Sequence, residues 1–275
     1  MTIAENSRKG LVGRGVPRVD ASDKVRGLAQ YVDDLDVPGC WHGFIVRSTV
    51  SRGKLRSLKM DPAFDASKVV VVTAKDIPGP NILVMHDRSM PLLAFDEVRY
   101  IGEPLAVVAA PTLRQAMEAS EHLQIDIEPL PPILTTAELV QKFKAGELKT
   151  GVEQTAPSGV GGFAGGTPDS PDVLCSQSIV KGDVGKGFAE ADQVVEAEYT
   201  AGHQEQLYIE PQGLVAIPQK DGGIFIQGSL QCPYYVQHEL HEALNLPAGK
   251  LRVKQAAVGG AFGGKEEFPS MLAGY

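Results

Sequence analysis

The sequence predicts an α+β protein built from two folded units. Two observations favour this class. Short extended runs alternate with helical stretches along most of the chain, and a long segment rich in glycine, proline, serine and threonine interrupts the pattern once. The 275 residues are 43% hydrophobic and 22% charged, which is ordinary globular composition and enough length for one large or two medium domains.

The first unit is predicted to occupy residues 1–145. Strands are expected at residues 41–47, 69–74 and 105–110, because short apolar runs there lie between turn signals. Residues 113–123 carry small and apolar side chains at helical spacing, and residues 123–127 then alternate as in a strand. The prolines that follow Glu128 end this pattern.

Residues 146–178 form the predicted connector, because they contain too few apolar side chains to bury a core. The second unit, residues 179–275, is predicted to contain strands at 193–200, 214–218, 223–227 and 251–257, and a helix at 234–244. A further helix is predicted to begin near Glu266. No stop signal precedes Tyr275, so we expect other polypeptide to complete this unit.

Charge and cysteine content argue against several functions. The chain has 26 Lys and Arg against 34 Asp and Glu, and a formal charge of −8 does not attract nucleic acid or anionic lipid. The three cysteines, Cys40, Cys175 and Cys232, form no CxxC pair, so no zinc or iron–sulfur site is predicted. The sequence also shows no apolar leader or membrane-length run. We therefore expect a cytoplasmic protein that neither binds nucleic acid nor inserts into membranes.

The strongest candidate for chemistry is a glycine-rich segment, residues 259–264, which we call the glycine turn. It follows an apolar strand, and backbone without side chains can approach an anionic or oxo-bearing ligand and donate N–H groups to it. With Lys265 the turn also matches the GxxxxGK spacing of a P-loop, but Glu266 stands where a P-loop requires Ser or Thr. A turn without any ligand is the third interpretation.

Other polar residues give weaker signals. Gln231 follows a predicted strand, and its amide could contact a metal oxo group or simply satisfy a loop. Residues 203–211 could line a site or close a turn. His238 and His241 lack a HExxH pattern or a third ligand, so we interpret them as a solvated or capping face. No nucleophile signature supports hydrolase chemistry.

Several segments, in the same order, resemble the molybdopterin-binding subunit of the xanthine dehydrogenase family, which includes aldehyde oxidases and nicotinate and purine hydroxylases. Residues 15–20, 72–79 and 98–108 are similar to its opening and its α/β-hammerhead domain, and residues 259–266 to its most specific motif. The resemblance spans residues 13–275. It implies a hammerhead domain at 1–145 and the first, incomplete part of the large α+β molybdenum-cofactor-binding domain at 179–275.

The resemblance also implies roles for individual residues. Glu266 is expected to face the substrate, which favours a purine such as xanthine or hypoxanthine. No side chain is expected to ligate a metal. Cofactor contacts are expected from a glutamine near the metal oxo group and from backbone of the glycine turn: Gln231, Gly260, Ala261, Phe262 and Gly263.

The implied reaction hydroxylates an N-heterocycle with water as the oxygen source. Its cofactor is molybdenum with molybdopterin, expected in the cytosine dinucleotide form, and electrons leave through [2Fe–2S] clusters to FAD. The expected partners are an iron–sulfur subunit, an FAD subunit and the remaining portion of the molybdopterin-binding subunit with its general-base glutamate. This chain alone is therefore expected to be inactive. The alternative is a non-catalytic assembly or docking module of such a complex.

Overall fold

The computed structural model describes Gly10 and residues 12–83, 90–147 and 180–266. Apart from residues 146, 147 and 266, the predicted connector and the helix predicted after Glu266 lie outside these residues. The helices of the described part are α1 (Ala21–Val25), α2 (Leu113–Glu121), α3 (Thr136–Lys144), α4 (Val184–Glu190) and α5 (Pro233–Ala243). Its strands are β1 (His42–Arg47), β2 (Gly53–Met60), β3 (Val70–Thr73), β4 (Glu97–Val98), β5 (Pro104–Ala110), β6 (Leu123–Pro129), β7 (Leu214–Pro218), β8 (Ile224–Gly228) and β9 (Leu251–Gln255).

Two antiparallel three-stranded sheets form the first unit. In one sheet β5 lies between β1 and β3, and in the other β2 lies between β4 and β6. Helix α2 packs two small residues, Ala116 and Ala119, against the buried side chains of β5. Thr112 begins this helix, because its side chain accepts a hydrogen bond from the Gln115 amide. The predicted strands and helix of this unit are confirmed.

Strand β2 is not predicted by the sequence pattern, although it is the central strand of its sheet. Its sequence alternates basic and apolar side chains, but the pairing with β6 shifts register between Leu55 and Ser57. Such a bulge breaks the period of two on which the prediction depends. Gly53 lies so close to β6 that an added Cβ would come within 2.5 Å of the Ile127 side chain.

A mixed sheet forms the core of the second unit. Strand β8 pairs antiparallel with β7 and parallel with β9, and α5 connects the two parallel strands. Val236 and Leu240 of α5 form a buried cluster with the sheet. Its other members are Ile226 of β8, Leu230 just after β8 and Leu251 of β9. The three strands and the helix predicted here are confirmed, with small shifts at their ends.

The strand predicted at residues 193–200 is wrong. Residues 191–207 have no regular secondary structure, and together with α4 they form a segment, residues 180–207, whose residues are all exposed. We call this segment the arm. Val195 and Tyr199 are 87% and 88% exposed. No strand within the described ranges pairs with the arm, and a strand cannot satisfy its backbone N–H and C=O groups alone.

The two units contact each other beside α5. The amide of Gly79 donates to the carbonyl of Ala243 at 2.8 Å, and a Cβ at Gly79 would lie 2.0 Å from the Glu242 carbonyl oxygen. Leu83, Leu92 and Ala243 form a buried cluster there. Of the helices in the described part of the chain, none has the length and apolar character needed to cross a membrane.

Candidate functional site

The glycine turn lies at one edge of the mixed sheet. Strands β8 and β9 are parallel, so the loops that follow them leave the sheet at the same edge. The loop after β8 carries Ser229 and Gln231, and the loop after β9 leads into the glycine turn. In open sheets with parallel strands, ligands bind where such loops meet. The topology therefore places the main site candidates close together.

Gln231 joins this loop to the glycine turn and to Glu266. Its side-chain oxygen accepts a hydrogen bond from the Gly263 amide at 3.1 Å, and its Nε2 donates to Glu266 Oε1 at 3.0 Å. Its own amide donates to the Lys265 carbonyl at 2.9 Å. An NH₂ group has two hydrogens, and the second has no acceptor among the described residues. One donor of Gln231 thus remains for a ligand.

The middle of the glycine turn has an unusual backbone. Phe262 has φ +52° and Gly263 has φ +87°, a region that residues with a Cβ rarely adopt. The Phe262 side chain is 76% exposed, and a Cβ at Gly263 would meet nothing within 4 Å. The amides of Gly260, Ala261 and Phe262 donate to no acceptor in the described ranges. Such amides are therefore available to an acceptor outside the described residues, for example a ligand or water.

The outer glycines of the turn are required for packing against protein. A Cβ at Gly259 would lie 2.6 Å from Glu210 Cβ, and one at Gly264 would lie 2.5 Å from Tyr208 Cε1. These positions therefore need glycine whether or not a ligand binds. Only the middle of the turn presents open backbone.

Lys265 is fully buried directly after the turn. Its ammonium donates to Glu210 Oε2 at 2.9 Å and to Ser229 Oγ at 2.8 Å, and it lies 4.8 Å from the centre of the Tyr208 ring. A P-loop lysine must instead reach the phosphates of a nucleotide. This geometry contradicts the nucleotide-binding interpretation of the turn.

Glu210 is a functional candidate that the sequence indicates only as part of residues 203–211, without a role of its own. Its Oε2 accepts from Ser229 Oγ at 2.6 Å and from the Gly259 amide at 2.7 Å, in addition to Lys265. Burial raises the pKa of Glu210, but donation by Ser229, Gly259 and Lys265 outweighs it and places the pKa below its ordinary value of 4.5. Its buried Oε1 has no hydrogen-bond partner in the described part of the chain.

Gln212 and Cys232 also border the site. Gln212 Nε2 donates to the Gly264 carbonyl at 2.7 Å and to the Tyr208 hydroxyl at 3.0 Å, which holds the end of the turn. Cys232 is the N-cap residue of α5. Burial first, and then the charge of Glu266, raise the pKa of the Cys232 thiol. The thiol is therefore protonated at neutral pH and is a poor nucleophile.

The two histidines that sequence analysis set aside lie on α5. His238 is exposed, and His241 belongs to the last turn of the helix. Within the residues that the structure describes, no group of three His, Cys, Asp or Glu side chains could hold a metal ion. Residues 203–211 have two parts. Residues 203–207 are exposed to solvent, whereas Tyr208 and Glu210 contact Lys265.

Comparison with protein families gives the context for this geometry. Residues 26–131 match the aldehyde oxidase and xanthine dehydrogenase a/b hammerhead domain, and residues 167–274 match the molybdopterin cofactor-binding domain. The chain belongs to the xanthine dehydrogenase and aldehyde oxidase family. The predicted α+β architecture, a hammerhead domain followed by the start of the cofactor-binding domain, is confirmed.

Curated relatives cover nearly all of the chain. It is 31% identical over 251 residues to a probable xanthine dehydrogenase subunit of Bacillus subtilis (strain 168), covering 91% of this chain and 31% of that protein. It is 30% identical over 256 residues to the nicotinate dehydrogenase large molybdopterin subunit of Eubacterium barkeri, covering 93% of this chain and 56% of that protein. The chain thus spans about a third to a half of these relatives.

Solved structures show the same architecture. The aldehyde oxidoreductase from Desulfovibrio gigas superposes with a TM-score of 0.71 at 25% identity, over 94% of this chain and 28% of that one. Quinoline 2-oxidoreductase from Pseudomonas putida 86 gives a TM-score of 0.71 at 23% identity, over 96% of this chain and 33% of that one. The second likeness shows the fold alone.

The hydrogen-bond donors of the site suit an oxygen-rich ligand. The amides of Gly260, Ala261 and Phe262 and the second N–H of Gln231 have no acceptor among the described residues, so several donors remain at the turn. Oxo and phosphate oxygens are acceptors that such backbone groups bind well. The residues present therefore fit an oxygen-rich, anionic cofactor.

Proposed function

We propose that this chain is the N-terminal portion of a molybdenum hydroxylase that oxidises an N-heterocycle, a purine such as xanthine or hypoxanthine. Water is the oxygen source. A ring carbon loses its hydrogen and gains a hydroxyl group, and two electrons leave with two protons. The observation that carries this proposal is the hydrogen-bonded set of Gln231, Gly263 and Glu266 beside three open amides.

The proposed roles follow from the donors and acceptors of each residue. The amides of Gly260, Ala261 and Phe262, with Gly263 beside them, would hold oxygen atoms of the cofactor, and the second N–H of Gln231 would contact the metal oxo group. When bound, the molybdenum cofactor, in the cytosine dinucleotide form, supplies the redox chemistry that makes water a usable nucleophile.

Glu266 is the proposed substrate residue. One carboxylate oxygen already accepts from Gln231, and the other has no partner among the described residues. A free carboxylate oxygen beside the oxo-contacting glutamine can accept a ring N–H of a purine and hold the ring against the metal. The names of two relatives, xanthine dehydrogenase and nicotinate dehydrogenase, also refer to N-heterocycles.

The arm supports the proposal that other polypeptide completes the enzyme. It exposes Val184, Phe188, Val194, Val195 and Tyr199 together, and monomeric proteins rarely expose so many large apolar side chains in one stretch. We propose that the remaining portion of the molybdopterin-binding subunit packs against the arm and also supplies the general base. Iron–sulfur and FAD subunits would accept the electrons, and we place the complex in the cytoplasm.

Metal analysis of the natively purified complex tests this function against its alternative. We expect molybdenum close to one atom per copy of this chain, and purine-dependent reduction of an electron acceptor. A complex with full partner occupancy and no molybdenum would instead support the alternative, a non-catalytic assembly or docking module. The exposed arm favours neither function, because a partner could cover it in an enzyme or in a docking module.

A further inference from the structure

We infer that the fully buried Lys265, its partly buried partner Glu210 and Ser229 form a positioning network that fixes the glycine turn and holds Glu266 beside Gln231. This inference rests on the proposed function, because it concerns how the substrate residue is oriented. We call these three residues the Lys265 network. None of them is proposed to touch the substrate or the cofactor.

The Lys265 network joins segments beside all three strands of the mixed sheet. Glu210 precedes β7, Ser229 follows β8, and Lys265 follows β9, so the network ties together the chain segments at the ends of all three strands. Glu210 Oε2 also accepts from the Gly259 amide, at the start of the glycine turn. The turn is therefore held by the same carboxylate at its first residue and directly after its last.

Lys265 and its neighbour Glu266 both contact Gln231. Its carbonyl accepts from the Gln231 amide, and the next residue, Glu266, accepts from the Gln231 side chain. The buried ammonium fixes the position of Lys265, and hence of the main chain that carries Glu266. Loss of this anchor should let Glu266 move relative to Gln231 without removing any donor to the cofactor.

Burial of the Lys265 ammonium is energetically costly. A fully buried ammonium costs several kcal/mol in desolvation, and a buried ion pair often adds little net stability compared with an apolar pair of the same shape. Buried ionic groups can instead fix one arrangement among several, as in the register of coiled coils. The cost of burying Lys265 is thus understandable if the network specifies geometry.

The test uses the complete complex and the double variant Glu210→Gln/Lys265→Met, which removes both charges together. We expect a molybdenum content equal to wild type, a KM for the purine raised about tenfold, and a kcat changed much less. Wild-type KM in a folded, molybdenum-loaded double variant would overturn the inference. Lys250→Met is the matched control, because it removes an exposed pair with Asp221 in the same unit and should leave KM unchanged.

A second readout does not depend on activity. Glu266 lies close enough to Cys232 to influence its thiol, so the pH profile of Cys232 alkylation, followed by peptide mass spectrometry, reports where Glu266 is. We expect the profile of the double variant to move to lower pH, as it should in Glu266→Gln. An unchanged profile in the double variant, with a shifted one in Glu266→Gln, also contradicts the inference.

Ser229→Ala gives an independent variant if the double variant does not fold. It removes one partner of Lys265 and keeps both charges, so we expect smaller shifts in the same directions, and unchanged values would count against the network. Failure of the proposed function looks different. The wild-type complex would then lack molybdenum or purine oxidation, while the Cys232 profile would still report on Glu266.

Discussion

Strand β9 and the arm have similar sequence patterns but different structures. Both alternate apolar and polar residues, yet β9 pairs with β8 and buries Leu251 to 4% exposure, whereas Val195 of the arm is 87% exposed. The difference lies in their partners, because β8 and α5 belong to the described part of this chain. Alternation therefore predicts a strand only where a neighbouring strand exists to complete its hydrogen bonds.

The largest expected effect comes from removing one charge of the ion pair between Lys265 and Glu210. Lys265→Met leaves the largely buried Glu210 carboxylate, whose side chain is 16% exposed, without its cation, which should lower the free energy of unfolding by about 3–5 kcal/mol. The double variant Glu210→Gln/Lys265→Met should recover most of that loss. Urea unfolding of the purified protein measures both, and an equal loss in the single and double variants would show that the pair is not the cause.

Truncating one apolar side chain in the mixed sheet and one in the arm should change stability by very different amounts. Ile226→Ala empties a fully buried position in β8 and should cost about 2–5 kcal/mol. Val195→Ala in the arm should change the stability of the isolated chain by less than about 0.5 kcal/mol. In the complete complex Val195→Ala should cost more, because we propose that the arm is covered there. If Val195→Ala lowers the stability of the isolated chain and of the complete complex equally, the arm is not covered in the complex.

The substrate role of Glu266 predicts a smaller, functional effect. Glu266→Gln in the complete enzyme should lower kcat/KM for the purine by the equivalent of about 1–3 kcal/mol, since one buried hydrogen bond is weakened. Molybdenum should remain bound. Glu118→Gln, at an exposed position of α2 in the first unit, is the matched control and should behave as wild type. Unchanged kinetics in Glu266→Gln would mean that Glu266 does not bind the substrate.

The smallest expected effect is a pH dependence. The pKa of Glu210 is lowered in the folded state, so the unfolded chain binds more protons once the pH falls below the ordinary value of 4.5. The stability that Glu210 contributes is complete above that pH and is lost as the pH falls through the lower folded-state pKa. Urea midpoints of wild type should therefore fall more steeply with acid than those of Glu210→Gln/Lys265→Met. Parallel curves would exclude this contribution.

Much of the fold follows from local pattern in the sequence. Strands β5 and β7 and helix α2 were predictable because their apolar spacing and their caps are local signals. Strand β2 was not, because a bulge breaks its period, and residues 193–200 gave a false strand because pairing depends on a partner elsewhere. The local sequence pattern therefore predicts which segments can form strands, and pairing with a neighbouring strand decides which of them do.

The candidate site was predictable only in part. Gln231, Gly263 and Glu266 were all selected from the sequence, and the structure brings them into hydrogen-bond contact. Their contacts with cofactor and substrate remain predictions. The pairing of Glu210 with Lys265 and Ser229 was not predictable, because an ion pair between residues 55 positions apart has no local signature. Two signals pointed to parts of it: residues 203–211 were a possible site lining, and the match to GxxxxGK drew attention to Lys265 but suggested a phosphate partner.

The most direct test of the account is the position of molybdenum in the complete complex. An anomalous difference map measured at the molybdenum absorption edge should place the metal beside the Gly260, Ala261 and Phe262 amides, with Gln231 next to it. If the metal lies far from residues 259–264 and these amides are covered by protein alone, the role proposed for the glycine turn is wrong.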